Sequence, residues 1–203
     1  MKEETKINWA ILVTGWGRNA LDTINEYEKG KFKHSNISIV IYEQDPCGAA
    51  EKAKEAGIET LKIVKANFPD LISYQNKLIE ELKNRNVDYI FMLNYKYVIK
   101  EQMLSAFPNR ILNIHPSLFP SFLGTKTAIQ EALEYRVKIT GITTHITDNK
   151  LDKGIILAQK AIKINNKDSF ETLYPKFSTK GKQIVKKTIK IIEKMHFDKL
   201  KNE

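Results

Sequence analysis

Two kinds of apolar pattern alternate along the chain. Short runs in which nearly every position is apolar and β-branched or aromatic are separated by longer stretches with apolar residues at 3.6-residue spacing. "INWAILVT" (7–14), "ISIVIY" (37–42), "VDYIFML" (87–93) and "RILNI" (110–114) are of the first kind and predict strands buried on both faces. "TLKIV" (60–64) predicts a shorter strand. Helices are predicted over 17–29, 46–57, 69–86, 100–106 and 125–135, the second opened by Pro46 and stopped by Gly57. This alternation predicts an α/β fold: a Rossmann-like, mainly parallel twisted sheet flanked by helices.

The pattern changes after residue 135. "KITGITTHIT" (138–147) and "GIILAQKAIKI" (154–164) read as two strands joined by "DNKLDK", the spacing of an antiparallel pair near the C-terminal end. Asp168 with Glu171 predicts a capping box opening a terminal helix. Its Phe170, Leu173, Phe177, Ile184, Thr188, Ile191 and Met195 recur at helical spacing and should face the sheet, with Pro175 tightening or kinking the first turns. No repeat, linker or low-complexity segment divides the chain, so residues 1–203 are expected to form one domain.

Composition excludes several classes. No apolar run approaches the roughly 20 residues that span a bilayer, so no membrane partner is expected. Cys47 is the only cysteine, which forbids an internal disulfide and predicts a cytoplasmic protein in which this thiol serves packing. The net charge of +9 gathers in the lysine-rich last third. It reads as a solvated helix face, then as attraction for an anionic small molecule. Nucleic acid is not expected, because no recognised module or arginine–aromatic interleaving is present.

The first candidate for chemistry is "LVTGWGRNA" (12–20). Gly15, Gly17 and Ala20 match G-x-G-x-x-[GA] at the end of the first strand, where backbone N–H groups and a helix N-terminus receive phosphate. Glu43, ending the second strand, stands where dinucleotide folds hold a ribose, so an NAD(P)-dependent reductase is one reading. Against it, Trp16 and Arg18 are bulky where a pyrophosphate would lie on bare backbone. The Tyr-x-x-x-Lys pair Tyr27–Lys31 also falls on the first helix rather than late in the sheet. A purely structural tight turn is the third reading of this loop.

The second candidate is "LNIHPSLFPSFLGTKTAIQEALEYRVKITGITTHITDNKLDKGIILAQ" (112–159). Asn113 and His115 lie two apart at a strand end and so point the same way, at the edge where α/β sheets bind ligands. Pro116 then ends the strand. A carboxamide donor beside an imidazole suits a carbonyl that becomes an oxyanion. Asp152, followed by Gly154, lies in the loop between the last two strands, and a carboxylate there would favour a protonated, donating imidazole. Taken singly, a histidine before proline caps a turn and an aspartate in a short loop is a turn residue.

Together these segments resemble the folate-dependent formyltransferases, particularly those that formylate glycinamide ribonucleotide in purine synthesis. The resemblance rests on "NIHPSLFP", "ALEY", "TGITTHITD" and "LDKG", with "ILVTGWGRNALDTI" and "AAEKAKEAGIETL" agreeing at the matching places. It implies transfer of a formyl group from 10-formyltetrahydrofolate to a primary amine, without a metal. Asn113, His115 and Asp152 match the family's catalytic trio. Tyr95, Lys96, Tyr97, Val98 and Ile99, with Asn113, match its folate pocket, and Asp148 to Leu151 the facing wall. Gly15, Trp16, Gly17, Arg18 and Asn19 match the loop that holds the acceptor's phosphate, and His145 a supporting histidine. The expected partner is thus a phosphorylated small-molecule amine, bound by a monomer or homodimer.

Departures from the family pattern fall on Trp16 and Arg18, on Asn94 and Tyr97 where members carry glycine and arginine, and on Gly181 and Lys182 where a glutamate is common. They leave open another acceptor, such as a nucleotide-linked amino sugar, or a binding module that kept the scaffold.

Overall fold

The computed structural model describes residues 6–148 and 154–200. A seven-stranded sheet has the order β3-β2-β1-β4-β5-β6-β7. Its strands are β1 Ile7–Val13, β2 Ser35–Tyr42, β3 Glu59–Lys62, β4 Tyr89–Met92, β5 Ile111–His115, β6 Ile139–Ile146 and β7 Ile156–Lys163. The helices are α1 Arg18–Glu28, α2 Gly48–Glu55, α3 Leu71–Asn84, α4 Glu101–Ala106, α5 Ala128–Glu134 and α6 Phe170–Leu200. β1 through β5 pair in parallel, whereas β5–β6 and β6–β7 are antiparallel. The antiparallel part thus takes in β5 as well as the two strands that the loop length predicts. The strand order reverses between β1 and β4, where the connecting loops diverge and α/β sheets open a crevice.

The all-apolar strands are buried on both sides, by alternation. Ile7, Trp9, Ile11 and Val13 of β1 pack with α1, α2 and the second half of α6. Ala10 and Leu12 pack with α3 and α4 on the other face. A third cluster joins β6, β7, α5 and the first half of α6. α6 therefore bridges two cores, and its buried stripe shifts along its length. Leu173, Phe177 and Ile184 serve the first, while Val185, Ile189 and Ile192 serve the second. That shift leaves Met195 49% exposed, against the expectation that it faces the sheet. The opening of α6 also differs. Ser169 is the cap, its N–H donating to the Thr172 hydroxyl, while Asp168 folds back to accept from the Asn165 N–H.

One buried charge ties α6 to α1. Glu26 of α1 is 7% exposed and meets Lys182 at 3.1 Å and Lys186 at 3.5 Å. The Lys182 hydrogen bond holds the Glu26 carboxyl below the ordinary 4.5, outweighing burial, which would raise it. A carboxyl with a depressed folded pKa contributes stability above its unfolded pKa, and that stability is lost as pH falls through the folded value. Thermal melts at neutrality and at about pH 3 should therefore show a larger loss of Tm for the wild type than for Glu26→Gln. Equal losses would mean that the α1–α6 contact does not depend on this charge.

Among the described residues no helix is long and apolar enough to cross a membrane.

Candidate active site

At the reversal between β1 and β4 lies a cavity of about 590 Å³. Its walls come from the carboxyl ends of β1, β4 and β5, from the segment before α5, and from the end of β6. Thr14 stitches the first two together. Its hydroxyl donates to the Asn94 carbonyl at 2.8 Å and accepts from the Lys96 N–H at 3.1 Å. Asn94 turns the chain in the left-handed region (φ 71°), which asparagine tolerates better than most residues. Gln75 of α3, fully buried, brackets the far end of this segment. Its amide donates to the Val98 carbonyl at 2.8 Å and accepts from the Lys100 N–H at 2.9 Å. The wall from Tyr95 to Ile99 is thereby held at both ends, and all five residues line the cavity.

Asn113 and His115 line the cavity from β5, and His145 lines it from β6, directly opposite Asn113 in the antiparallel register. The pairing with β7 slips beside His145, between Thr144 and His145. Asn113 Nδ2 lies 3.4 Å from His145 Nε2, while His145 Nδ1 lies 3.3 Å from the Ile146 carbonyl. A carbonyl only accepts, so the tautomer that satisfies both contacts has its proton on Nδ1 and accepts the Asn113 amide at Nε2. This holds the Asn113 carboxamide in one orientation. By the same reasoning His115 Nε2, 3.0 Å from the Phe122 carbonyl, carries a proton. Phe119 lies against both imidazoles, with ring centroids 5.2 Å from His115 and 5.0 Å from His145.

The loop that follows His115 is anchored from beneath. The buried Thr143 hydroxyl donates to the Ser117 carbonyl at 2.7 Å and accepts from Phe119 N–H and Gln159 Nε2, each at 3.1 Å. Gly141 admits the loop's Leu118. A Cβ there would stand 2.7 Å from the Leu118 side chain and 2.2 Å from the Lys160 carbonyl oxygen.

Glu43, the residue that the nicotinamide reading needs for a ribose, is occupied by its own chain. It accepts from the Tyr97 phenol at 2.5 Å and the Lys65 N–H at 3.2 Å, and pairs with Lys96 at 3.0 Å. Burial would raise its carboxyl, but the Tyr97, Lys96 and Lys65 hydrogen bonds outweigh it and hold the group below the ordinary value.

The first loop divides. Gly15 lines the cavity, with open space where a Cβ would project. Trp16 is 52% exposed and packs against Gly48, where a Cβ would come within 2.6 Å of the indole. Gly17 caps α1 in the left-handed region (φ 76°) and must be glycine, since a Cβ would meet Ala49 at 2.7 Å and Val13 at 2.8 Å. Arg18 turns away from the cavity. It pairs with Asp22 at 3.1 Å and lines a groove between α1 and α6 that also holds Lys182. Asn19 packs on Gly181, where a Cβ would lie 2.5 Å from its Oδ1.

Asp148 lines the cavity, whereas Leu151 and Asp152 lie outside the described residues. Thr14, Gln44, Thr125, Lys126 and Thr147 line it too, and the sequence pattern does not single them out. A polar threonine closing an all-apolar strand is a usable signal for Thr14. Thr125 and Lys126 are hidden inside a helix predicted to begin at 125, whereas α5 begins at Ala128. Among the described residues, no group of three or more His, Cys, Asp or Glu is placed to hold a metal ion.

A mainly parallel sheet whose switch-point cavity sets an oriented carboxamide beside an imidazole has the architecture of a group-transfer enzyme acting at a carbonyl. The comparisons with known proteins say which. A family described as formyl transferase matches residues 7–189, and the chain belongs to that family of formyl-transferring enzymes. The phosphoribosylglycinamide formyltransferase of Bacillus subtilis is 29% identical over 165 residues, which is 81% of this chain and 84% of that protein. The human trifunctional purine biosynthetic protein adenosine-3 is 29% identical over 171 residues, and this chain spans only 17% of its length. Among solved structures, glycinamide ribonucleotide transformylase 1 of Symbiobacterium toebii superposes with a TM-score of 0.89. It is 31% identical, over 93% of this chain and 88% of that one.

Proposed function

We propose that the chain transfers the formyl group of 10-formyltetrahydrofolate to the amine of glycinamide ribonucleotide. The observation that carries this reading is the convergence of Asn113, His115 and the Tyr95–Ile99 wall on one cavity. Met92, Val98 and Ile99 with Tyr95 and Tyr97 suit a flat heterocycle, and Lys126 suits an anionic tail. The folate supplies an activated formyl carbon. The Asn113 amide, oriented by His145, and the second N–H of a protonated His115, whose Nε2–H is held by the Phe122 carbonyl, donate to the formyl oxygen as it gains charge. Asp152 is assigned by resemblance to the protonated form of His115 and to proton movement from the attacking amine.

The acceptor's phosphate belongs at the start of α1. Gly17 offers no capping side chain, so the first-turn amides of an 11-residue helix stand ready for an anion. The names of the relatives from Bacillus subtilis and Symbiobacterium toebii favour glycinamide ribonucleotide as that acceptor. A nucleotide-linked amino sugar is the second reading, favoured by the exposed Trp16 indole beside the loop.

The test is a panel of primary amines incubated with 10-formyltetrahydrofolate, following release of the deformylated folate. Glycinamide ribonucleotide should be turned over fastest, and the same amide without phosphate much more slowly. Turnover of none above background would overturn formyl transfer in this cavity. A preference for the amino sugar would replace the acceptor alone.

A further inference from the structure

Glu43 is a buried carboxylate that no step of formyl transfer uses, yet it stands behind the donor wall with donors from two other loops converging on it. It is 8% exposed and sits just past the end of β2. The Lys65 N–H reaches it from the segment after β3. The Tyr97 phenol and the Lys96 ammonium reach it from the segment after β4, which lines the cavity. The next residue, Gln44, lines the cavity as well.

The Tyr97 ring is further fixed edge-on against Tyr74 (5.6 Å) and Tyr95 (5.5 Å), and the Lys96 ammonium lies over its face at 5.0 Å. The middle of the wall therefore combines ring packing with one polar anchor. Thr14 and Gln75 tie down its two ends, at Asn94–Lys96 and Val98–Lys100, and Glu43 accepts the hydrogen bond of the Tyr97 phenol between them.

We propose that Glu43 is a positioning residue for the folate side of the site: it locks Lys96 and Tyr97 in the conformation that shapes the donor wall, and so sets donor affinity without touching the reacting atoms. The inference rests on the reading of this cavity as the donor pocket. A carboxylate that accepts from a phenol and an amide N–H while paired with an ammonium forms charge-assisted contacts, stronger than neutral ones. Losing them releases a wall that must then be ordered again whenever the donor binds, which weakens binding. The amide and imidazole on β5 and β6 are untouched by that release.

The experiment measures the dissociation constant of a non-reactive folate analogue by tryptophan fluorescence, then KM and kcat for the donor, in wild type, Glu43→Ala, Glu43→Gln, Tyr97→Phe and the double variant Glu43→Ala/Tyr97→Phe. Glu43→Ala should raise the analogue's dissociation constant and the donor KM by about tenfold, the scale of one charge-assisted hydrogen bond, with kcat within about twofold. Glu43→Gln, which keeps an acceptor for the phenol but loses the ion pair, should fall between. In the double variant the two effects should be less than multiplicative, because both substitutions break the same bond.

An unchanged dissociation constant in Glu43→Ala, or a fall in kcat with KM unmoved, would overturn the proposal. If Glu43→Ala does not fold, Tyr97→Phe decides in its place, and wild-type affinity there overturns the proposal equally. Failure of the wild type to bind the analogue would instead overturn the donor pocket itself.

Discussion

Asn113→Ala is expected to lower kcat for formyl transfer by about two to three orders of magnitude, the cost of removing one preorganised donor from an oxyanion site. The effect should fall on kcat more than on the donor KM, because the lost hydrogen bond strengthens only as the formyl oxygen gains charge. The fold should tolerate the change. Asn113 is half-buried, and the partner its amide leaves behind is the His145 Nε2 lone pair rather than a charge. Steady-state kinetics with saturating acceptor measures the loss, and a thermal melt shows that the protein is intact. A kcat close to that of wild type would mean that the charge is met elsewhere in the cavity.

Gly141→Ala is expected to be the most damaging single methyl in the sheet interior next to the site. The added carbon would stand 2.2 Å from a backbone oxygen of β7, and backbone within a paired ladder cannot step aside as a flexible side chain can. A cost of about 3 kcal/mol is the scale of such overpacking, equivalent to a fall in Tm of about 6–12 °C for a chain of this size. The same carbon would press on Leu118 in the loop that leaves His115, so activity should fall further than stability alone explains. Melting curves and kcat measured together test both statements. An unchanged Tm would show that β6 and β7 part more readily here than their hydrogen-bonded register implies.

Period and strand ends carried most of what was legible in the sequence. The central strands were readable because burial on both faces demands near-continuous apolar runs, and "ILVTG" and "ILNIH" end where the sheet edge begins. Asn113 and His115 were readable for the same reason, since i and i+2 on a strand share a face. Smaller features depended on competitions that period does not report. The apolar Ile63 and Val64 lengthen the predicted third strand, yet β3 runs Glu59–Lys62 and a short 3₁₀ turn follows. The fifth helix starts late where the Thr127 N–H donates to the Thr125 hydroxyl, the local side-chain competition that disfavours a helical turn.

Two networks were invisible for a different reason. Glu43 meets its partners across 22 and 54 residues, and the Thr143 hydroxyl meets Ser117 across 26. No spacing rule reaches that far. The pairing of Arg18 with Asp22, by contrast, is an i,i+4 contact within one helix and follows a spacing rule.

The sheet itself is a partition. The segment Tyr95–Ile99 rests on the face packed by α3 and α4, and the loop Trp16–Asn19 rests on the opposite face, packed by α1, α2 and α6. The departures at Trp16, Arg18, Gly181 and Lys182 therefore lie on one side of the β-structure, and those at Asn94 and Tyr97 on the other. A lineage built this way can reshape the grip on one co-reactant without disturbing the backbone that carries the other.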